Sequence, residues 1–255
     1  MHLALYGHGR WGKNIEKTLI DMQVRFTIVG RGDSPPEKVD GVIIATPVET
    51  HAELALPYLK NDIPVFIEKP LTASRIESET LLATGSGLVH VGHIHLHNEA
   101  FKAYPDLGEI KSIAFIALNP GPIRENSTVF WEWLPHPLSM AITLLKENPT
   151  AVNAWYIGGV GVASFTFKKA LMVCHVSWES KEKMTKFAVV GEKGAWAYDG
   201  AKEQTPSPLK LELQAFVEAI RNQSRDRSQL ALGVTITKII AAAHQSHGKE
   251  IMLSM

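Results

Sequence analysis

Three constellations in this sequence have residue types and spacing suited to chemistry. The first is Gly7-His8-Gly9-Arg10-Trp11-Gly12. It follows the apolar run Leu3-Ala4-Leu5-Tyr6 and precedes Ile15, Leu19 and Ile20 at helical spacing. A strand, a Gly-x-Gly-x-x-Gly turn and a helix together make a cradle for a pyrophosphate. Gly7 permits the tight turn, Gly9 lets backbone approach the phosphates, and Gly12 lets the helix pack closely on the strand. Free N–H groups and the dipole at the helix start favour the anion. The second is Lys69, at the end of the strand-like Pro64-Val65-Phe66-Ile67, where open parallel sheets place their chemistry. A lysine with a lowered pKa can hydrogen-bond to a reacting hydroxyl or exchange its proton. The third is His136, with Glu132 four residues before it. Histidine titrates near working pH, and on one helix this spacing stacks the carboxylate on the imidazole.

Two further sets bear on cofactors. About 20 residues past such glycines an acid ordinarily holds the ribose 2′-hydroxyl of NAD. Gly30-Arg31 stands there instead, with Asp33 close by. Arg31 suits a 2′-phosphate, which leans the expectation toward NADP over NAD; the plainer reading is a solvated turn residue. His90, His93, His95 and His97 invite a metal reading, since 93, 95 and 97 would share one strand face. No cysteine or carboxylate cluster accompanies them, so the expectation is no metal.

The elements that must position these groups follow from periodicity. Strands at 3–6, 25–29, 41–45, 64–67 and 88–93 alternate with helices from about 10 to 22, 51 to 60 and 74 to 84. This pattern predicts a parallel sheet with right-handed crossovers, an α/β Rossmann domain over 1–108. After residue 108 the character changes. Strand candidates at 110–117, 151–158, 162–168, 170–178 and 185–190 are interrupted by one helix at 137–146. They predict an α+β domain over 109–255 with an open, mostly antiparallel sheet. Helices at 209–221 and 230–244 close the chain and are free to pack back on the first domain.

Bulk properties narrow the partners. The 255 residues carry 26 Lys+Arg and 26 Asp+Glu, with 45% hydrophobic residues, which is ordinary for a globular protein. A balanced charge favours neither nucleic acid nor an anionic membrane. The lone cysteine, Cys174, has no internal partner, which fits a cytoplasmic setting. There is no secretory signal pattern and no run of 18 apolar residues.

Read together, the glycine turn, Ala45-Thr46-Pro47 and Glu68-Lys69-Pro70 resemble the Gfo/Idh/MocA family of nicotinamide-dependent oxidoreductases. Val91-Gly92-His93 with Asn98-Glu99-Ala100, Asn119 to Arg124, Trp131 to Ser139, His175 to Trp178 and Val190 to Gly194 extend the likeness along nearly the whole chain. The resemblance implies hydride transfer to or from a sugar or nucleotide sugar. It implies cofactor contacts from Gly7, Gly9, Arg10, Trp11, Gly12, Arg31, Thr46, Pro47, His51, Glu68 and Lys69. It implies catalysis by Lys69 and His136, with Glu132 orienting the imidazole. His93, Asn119, Arg124 and Lys183 become substrate contacts; Arg and Lys suit a phosphate or carboxylate there. A homodimer or homotetramer is expected, built on a sheet face bearing Val162, Phe165 and Phe167. The chain departs from the family in three ways. It is short between 30 and 41, where a helix and a strand normally wall the adenosine. It lacks the ribose acid. Glu132, Ala117, Pro137 and Thr185 stand where the nearest branch carries Asp, Arg, Asp and Arg. These departures support the alternative of a non-catalytic binding or sensor protein that keeps the fold.

Overall fold

The N-terminal strands read as unbroken apolar runs because both faces of their sheet are covered. In the computed structural model, which describes residues 1–121, 127–202 and 205–254, these strands are β1 (His2–Tyr6), β2 (Arg25–Val29), β3 (Gly41–Ile44), β4 (Val65–Ile67) and β5 (Val89–Val91). They lie in the order β2-β1-β3-β4-β5, every neighbouring pair parallel. The helices that cover them are α1 (Arg10–Asp21), α2 (His51–Lys60), α3 (Arg75–Ala83), α7 (Pro208–Arg221) and the first part of α8 (Ser228–Ser246). The short α4 (Glu99–Lys102) packs its Phe101 on Phe187, Trp196 and Tyr198 of the second sheet, to which α5 (Val129–Trp133) and α6 (Pro135–Leu145) also belong. On one face Leu3, Leu5, Ile43 and Phe66 pack with Ile15 and Leu19 of α1 and Leu213 and Phe216 of α7. On the other, Val42, Ile44, Val65 and Ile67 pack with Ala55 and Leu59 of α2, Leu81 of α3, and Leu230 and Val234 of α8.

Two compact units result: Met1–His97 with Pro206–Thr237, and Asn98–Thr205 with Lys238–Met255. The boundary expected at 108 thus falls at 97, and α7 joins the first unit. The physical reason is the apolar stripe Leu209, Leu213, Phe216 and Val217, which completes the first core. Between β2 and β3, residues 30–40 form neither helix nor strand, so β2 is the sheet edge. A second expectation fails at β5. The strand stops at Val91, and Ile94–His97 is a 3-10 turn, so His93, His95 and His97 do not line one strand face.

The second unit is built on seven strands. They are β6 (Ile110–Pro120), β7 (Ala151–Ile157), β8 (Val160–Thr166), β9 (Leu171–Ser177), β10 (Glu179–Gly191), β11 (Gly194–Asp199) and β12 (Ile251–Met252), in the order β11-β10-β6-β9-β8-β7-β12. Every pairing is antiparallel except β6 with β9. α5 (Val129–Trp133) and α6 (Pro135–Leu145) cover one face. α5 approaches so closely that a Cβ on Gly161 would meet the Phe130 ring at 2.5 Å. Alternation then decides the rest. Phe165 and Phe167 are buried, while Val162 faces the other way with Trp155, Leu171 and Val173, all exposed. The apolar face is therefore real, but its members are not the phenylalanines. Among the described residues no helix is long and apolar enough to cross a membrane.

Candidate active site

The glycine turn is sterically specified. Gly7 has φ +92°, and a Cβ there would lie 2.4 Å from the Ala45 carbonyl oxygen, where β1 and β3 end side by side. A Cβ on Gly12 would lie 2.0 Å from the Gly7 carbonyl oxygen. A Cβ on Gly9 would meet nothing within 4 Å, so the turn opens outward at that residue. Gly9 is also the N-cap of α1; no side chain caps this helix and no acid sits in its first turn. An anion at this end would meet free N–H groups and no carboxylate from the helix's own first turn. The turn and its open face therefore fit the pyrophosphate of a dinucleotide, at the carboxyl ends of parallel strands.

The ends of β3 and β4 are tied to this turn. The Trp11 indole N–H donates to Glu68 Oε1 at 2.5 Å, and the Lys69 N–H donates to Glu68 Oε2 at 3.2 Å. Glu68 is buried, and burial together with the nearby Glu212 carboxylate raises its pKa. His51 bridges the two strand ends. Its Nε2 faces the Thr46 carbonyl at 3.0 Å and its Nδ1 faces the Pro70 carbonyl at 3.1 Å, across a cis Lys69–Pro70 bond. A neutral imidazole donates from only one of these nitrogens. Burial holds the pKa of His51 below its ordinary value. Thr50 donates its hydroxyl to Thr46 Oγ1 at 2.7 Å and to the Pro47 carbonyl at 2.8 Å, fixing that loop. Arg31 is exposed in the tight turn after β2, where Asp33 accepts from the Gly30 N–H at 2.8 Å.

The histidines cluster differently from the sequence expectation. His90 and His97 meet Glu212 of α7, with Nε2 to Oε1 distances of 3.8 and 3.9 Å. His93 is buried beside them, and burial drives its pKa down to about 3. His95 is held down at about 4, first by burial and then by Lys69. Glu212 was missed in the sequence because it stands more than a hundred residues from the histidines. The available signal was its place in the stripe 209, 212, 213, 216, 217, where a carboxylate falls on an apolar helix face.

In the second unit Glu132 and His136 do not share one helix. α5 ends at Trp133, Leu134 caps both helices, and α6 begins at Pro135 with Pro137 in its first turn. The two prolines lack N–H groups, so the chain restarts here instead of continuing. His136 is buried, its ring 6.0 Å from that of Trp133. Asn119 lies near the end of β6, and its buried Oδ1 has no hydrogen-bond partner among the described residues. Exposed Lys183 lies in the irregular stretch of β10 between Glu179 and Met184, beside that same end. Arg124 lies outside the described residues.

Comparison with known proteins agrees with this geometry. The Gfo/Idh/MocA family model, described as an oxidoreductase family with an NAD-binding Rossmann fold, matches residues 32–93. An inositol 2-dehydrogenase of Rhizobium meliloti (strain 1021) is 28% identical over 130 residues, 46% of this chain and 39% of that protein. The match thus spans about two fifths of the relative's length. A solved structure from Magnetospirillum magnetotacticum MS-1 is 26% identical with a TM-score of 0.84, covering 95% of this chain and 99% of that one. Scyllo-inositol dehydrogenase from Lactobacillus casei, solved with NAD(H) and scyllo-inositol, shares the fold at 15% identity and a TM-score of 0.84, covering 99% of this chain and 98% of that one.

Proposed function

We propose that this chain, whose residues 32–93 match the Gfo/Idh/MocA family model, is a nicotinamide-dependent dehydrogenase or reductase of a sugar-like secondary alcohol. A cyclic polyol of the inositol kind is the first substrate class to try, because the curated relatives it resembles act on inositol by name. The observation that carries the reading is the turn at Gly7, Gly9 and Gly12, where two positions exclude a Cβ and the third opens over a helix start.

In this reading Gly7, Gly9, Arg10 and Gly12 hold the pyrophosphate. Trp11, Thr46, Pro47, His51 and Glu68 frame the neighbouring wall. When bound, the nicotinamide supplies a hydride acceptor or donor. Lys69 hydrogen-bonds to the reacting oxygen. His136 would take the hydroxyl proton when the alcohol is oxidised to the ketone and would return it in the reverse direction. Glu132 steadies the imidazolium, and His93, Asn119, Arg124 and Lys183 contact the substrate. Exposed Arg31 is assigned to a 2′-phosphate, which favours NADP, because Asp33 is engaged with the Gly30 N–H. Two chains cover the face around Trp155, Leu171 and Val173 in a symmetric dimer, the unit from which a tetramer would build. A cytoplasmic setting belongs to this reading, since Cys174 is buried without a second cysteine.

The test is absorbance of the reduced nicotinamide when the protein is mixed with NAD or NADP and a panel of inositols, sugars and nucleotide sugars. Turnover of one of them is expected. Cofactor binding with no turnover across the panel would overturn the catalytic claim. It would favour the binding-protein reading, for which the short 30–40 connection is the specific observation.

A further inference from the structure

The His90, His97 and Glu212 cluster is not used by the proposed reaction. Glu212 is wholly buried, and among the described residues neither carboxylate oxygen has a hydrogen-bond partner. His90 Nε2 is also buried and unpartnered, pointing toward Glu212 from 3.8 Å, beyond hydrogen-bond reach. The His90 ring is held flat against Phe66, with centroids 5.1 Å apart and planes 9° from parallel. A buried carboxylate lacking donors is costly, and neither imidazole nitrogen that faces it comes within hydrogen-bond reach, at 3.8 Å from His90 and 3.9 Å from His97.

We propose that His90, His97 and Glu212 bind a divalent cation of the zinc class inside the first unit. One ligand atom from each of the three lies within 4.8 Å of the others. Zinc takes imidazole nitrogen and carboxylate oxygen at about 2.0–2.2 Å. Around such an ion ligand atoms stand about 3.3–3.5 Å apart, so the two measured spacings need to close by roughly half an ångström. Imidazole with a single carboxylate selects zinc or a neighbouring transition metal over calcium or magnesium, which take oxygen ligands. The cation would join the end of β5, the turn after it and α7, which stand far apart in sequence. Its role is to fix the turn that carries His93 and His95. It also neutralises Glu212, whose carboxylate repels that of Glu68. Three protein ligands leave a fourth position for water.

The experiment uses the whole chain, stripped with a chelator, loaded with zinc, desalted and assayed for metal. One zinc per chain is expected, with a rise in Tm, because a cation that binds only the folded state stabilises it by mass action. Cobalt loading should give the intense visible d–d absorption of a four-coordinate site. Glu212→Gln and His97→Ala should each reduce retained zinc to background, while His175→Ala, on the exposed face of the second sheet, should retain it. No zinc on the folded wild-type protein overturns the proposal, as does equal retention by all three variants. If the two ligand variants do not fold, X-ray absorption of the zinc-loaded wild-type chain decides. Two imidazoles at the metal support the site, and any other count removes it.

Discussion

His136 is a buried histidine in a helix whose start is set by two prolines, and burial alone is compatible with a packing role. The catalytic assignment predicts more than packing does. His136→Asn keeps a polar side chain in the site, and should lower turnover by about 10²–10⁴-fold while leaving cofactor affinity within a few-fold. Steady-state rates beside a cofactor titration check this; undiminished turnover removes His136 from the mechanism. His51 gives a prediction in pH. Burial depresses its folded-state pKa, so the unfolded chain binds the extra proton first as pH falls. Its contribution to stability is present above the ordinary histidine value of 6.5 and is lost as pH falls toward the depressed folded value. Denaturant unfolding between pH 7 and pH 5 should lose stability less steeply in His51→Gln than in the wild type; equal slopes would contradict the assignment. At this scale the sequence was informative wherever backbone conformation or strand position constrains residue type, as at Gly7, Gly12 and Lys69. It did not bring Glu212 to the histidines, because a carboxylate on an apolar helix face marks burial and says nothing of which residues tertiary packing sets beside it.

Elements were legible where periodicity was strong. β1 to β5, α1 and α2 came out within a residue or two of the pattern, since continuous apolar runs and amphipathic spacing leave little choice. The errors have physical causes. The run 88–93 continues past the point where Gly92 packs against Glu68; a Cβ there would lie 2.8 Å from Glu68 Oε2, and the strand ends. β11 and β12 were missed because Gly194–Asp199, with its glycine and two alanines, and the two-residue Ile251–Met252 carry little strand pattern of their own and form by pairing with β10 and β7. The start of α1 gives the prediction at this scale. In Gly12→Ala the new Cβ must push on the Gly7 carbonyl, and overpacking of this kind costs about 1–3 kcal/mol. Thermal unfolding should show the loss and calorimetry should show cofactor binding weakened or gone. A variant with wild-type Tm and affinity would mean that the turn is not under the constraint described.

For the whole molecule, sequence periodicity announced two sheets but not how the last third of the chain is shared between them. That division depends on which core the stripes of α7 and α8 complete, and no local signal carries it. The open face of the second sheet was anticipated with Val162 on it, but Phe165 and Phe167 stand at odd spacing from Val162 and alternate to the buried face. Its exposed members predict assembly. Trp155→Glu and Val173→Lys, each in the middle of that face, should convert a dimer or larger oligomer to a smaller species by light scattering. Cofactor binding to the first unit should survive. An unchanged mass would place the interface elsewhere.

The central claim is that the Gly7–Gly12 turn seats a nicotinamide dinucleotide despite the short 30–40 connection. Calorimetric titration of NAD and NADP, separately, into the purified chain tests it most directly. The account predicts one site per chain, tighter than millimolar, with NADP preferred over NAD and the preference lost in Arg31→Ala. Tight NAD binding with weak NADP would keep the fold and the reaction but retire the role of Arg31. Failure of both to bind at millimolar concentration would contradict the account.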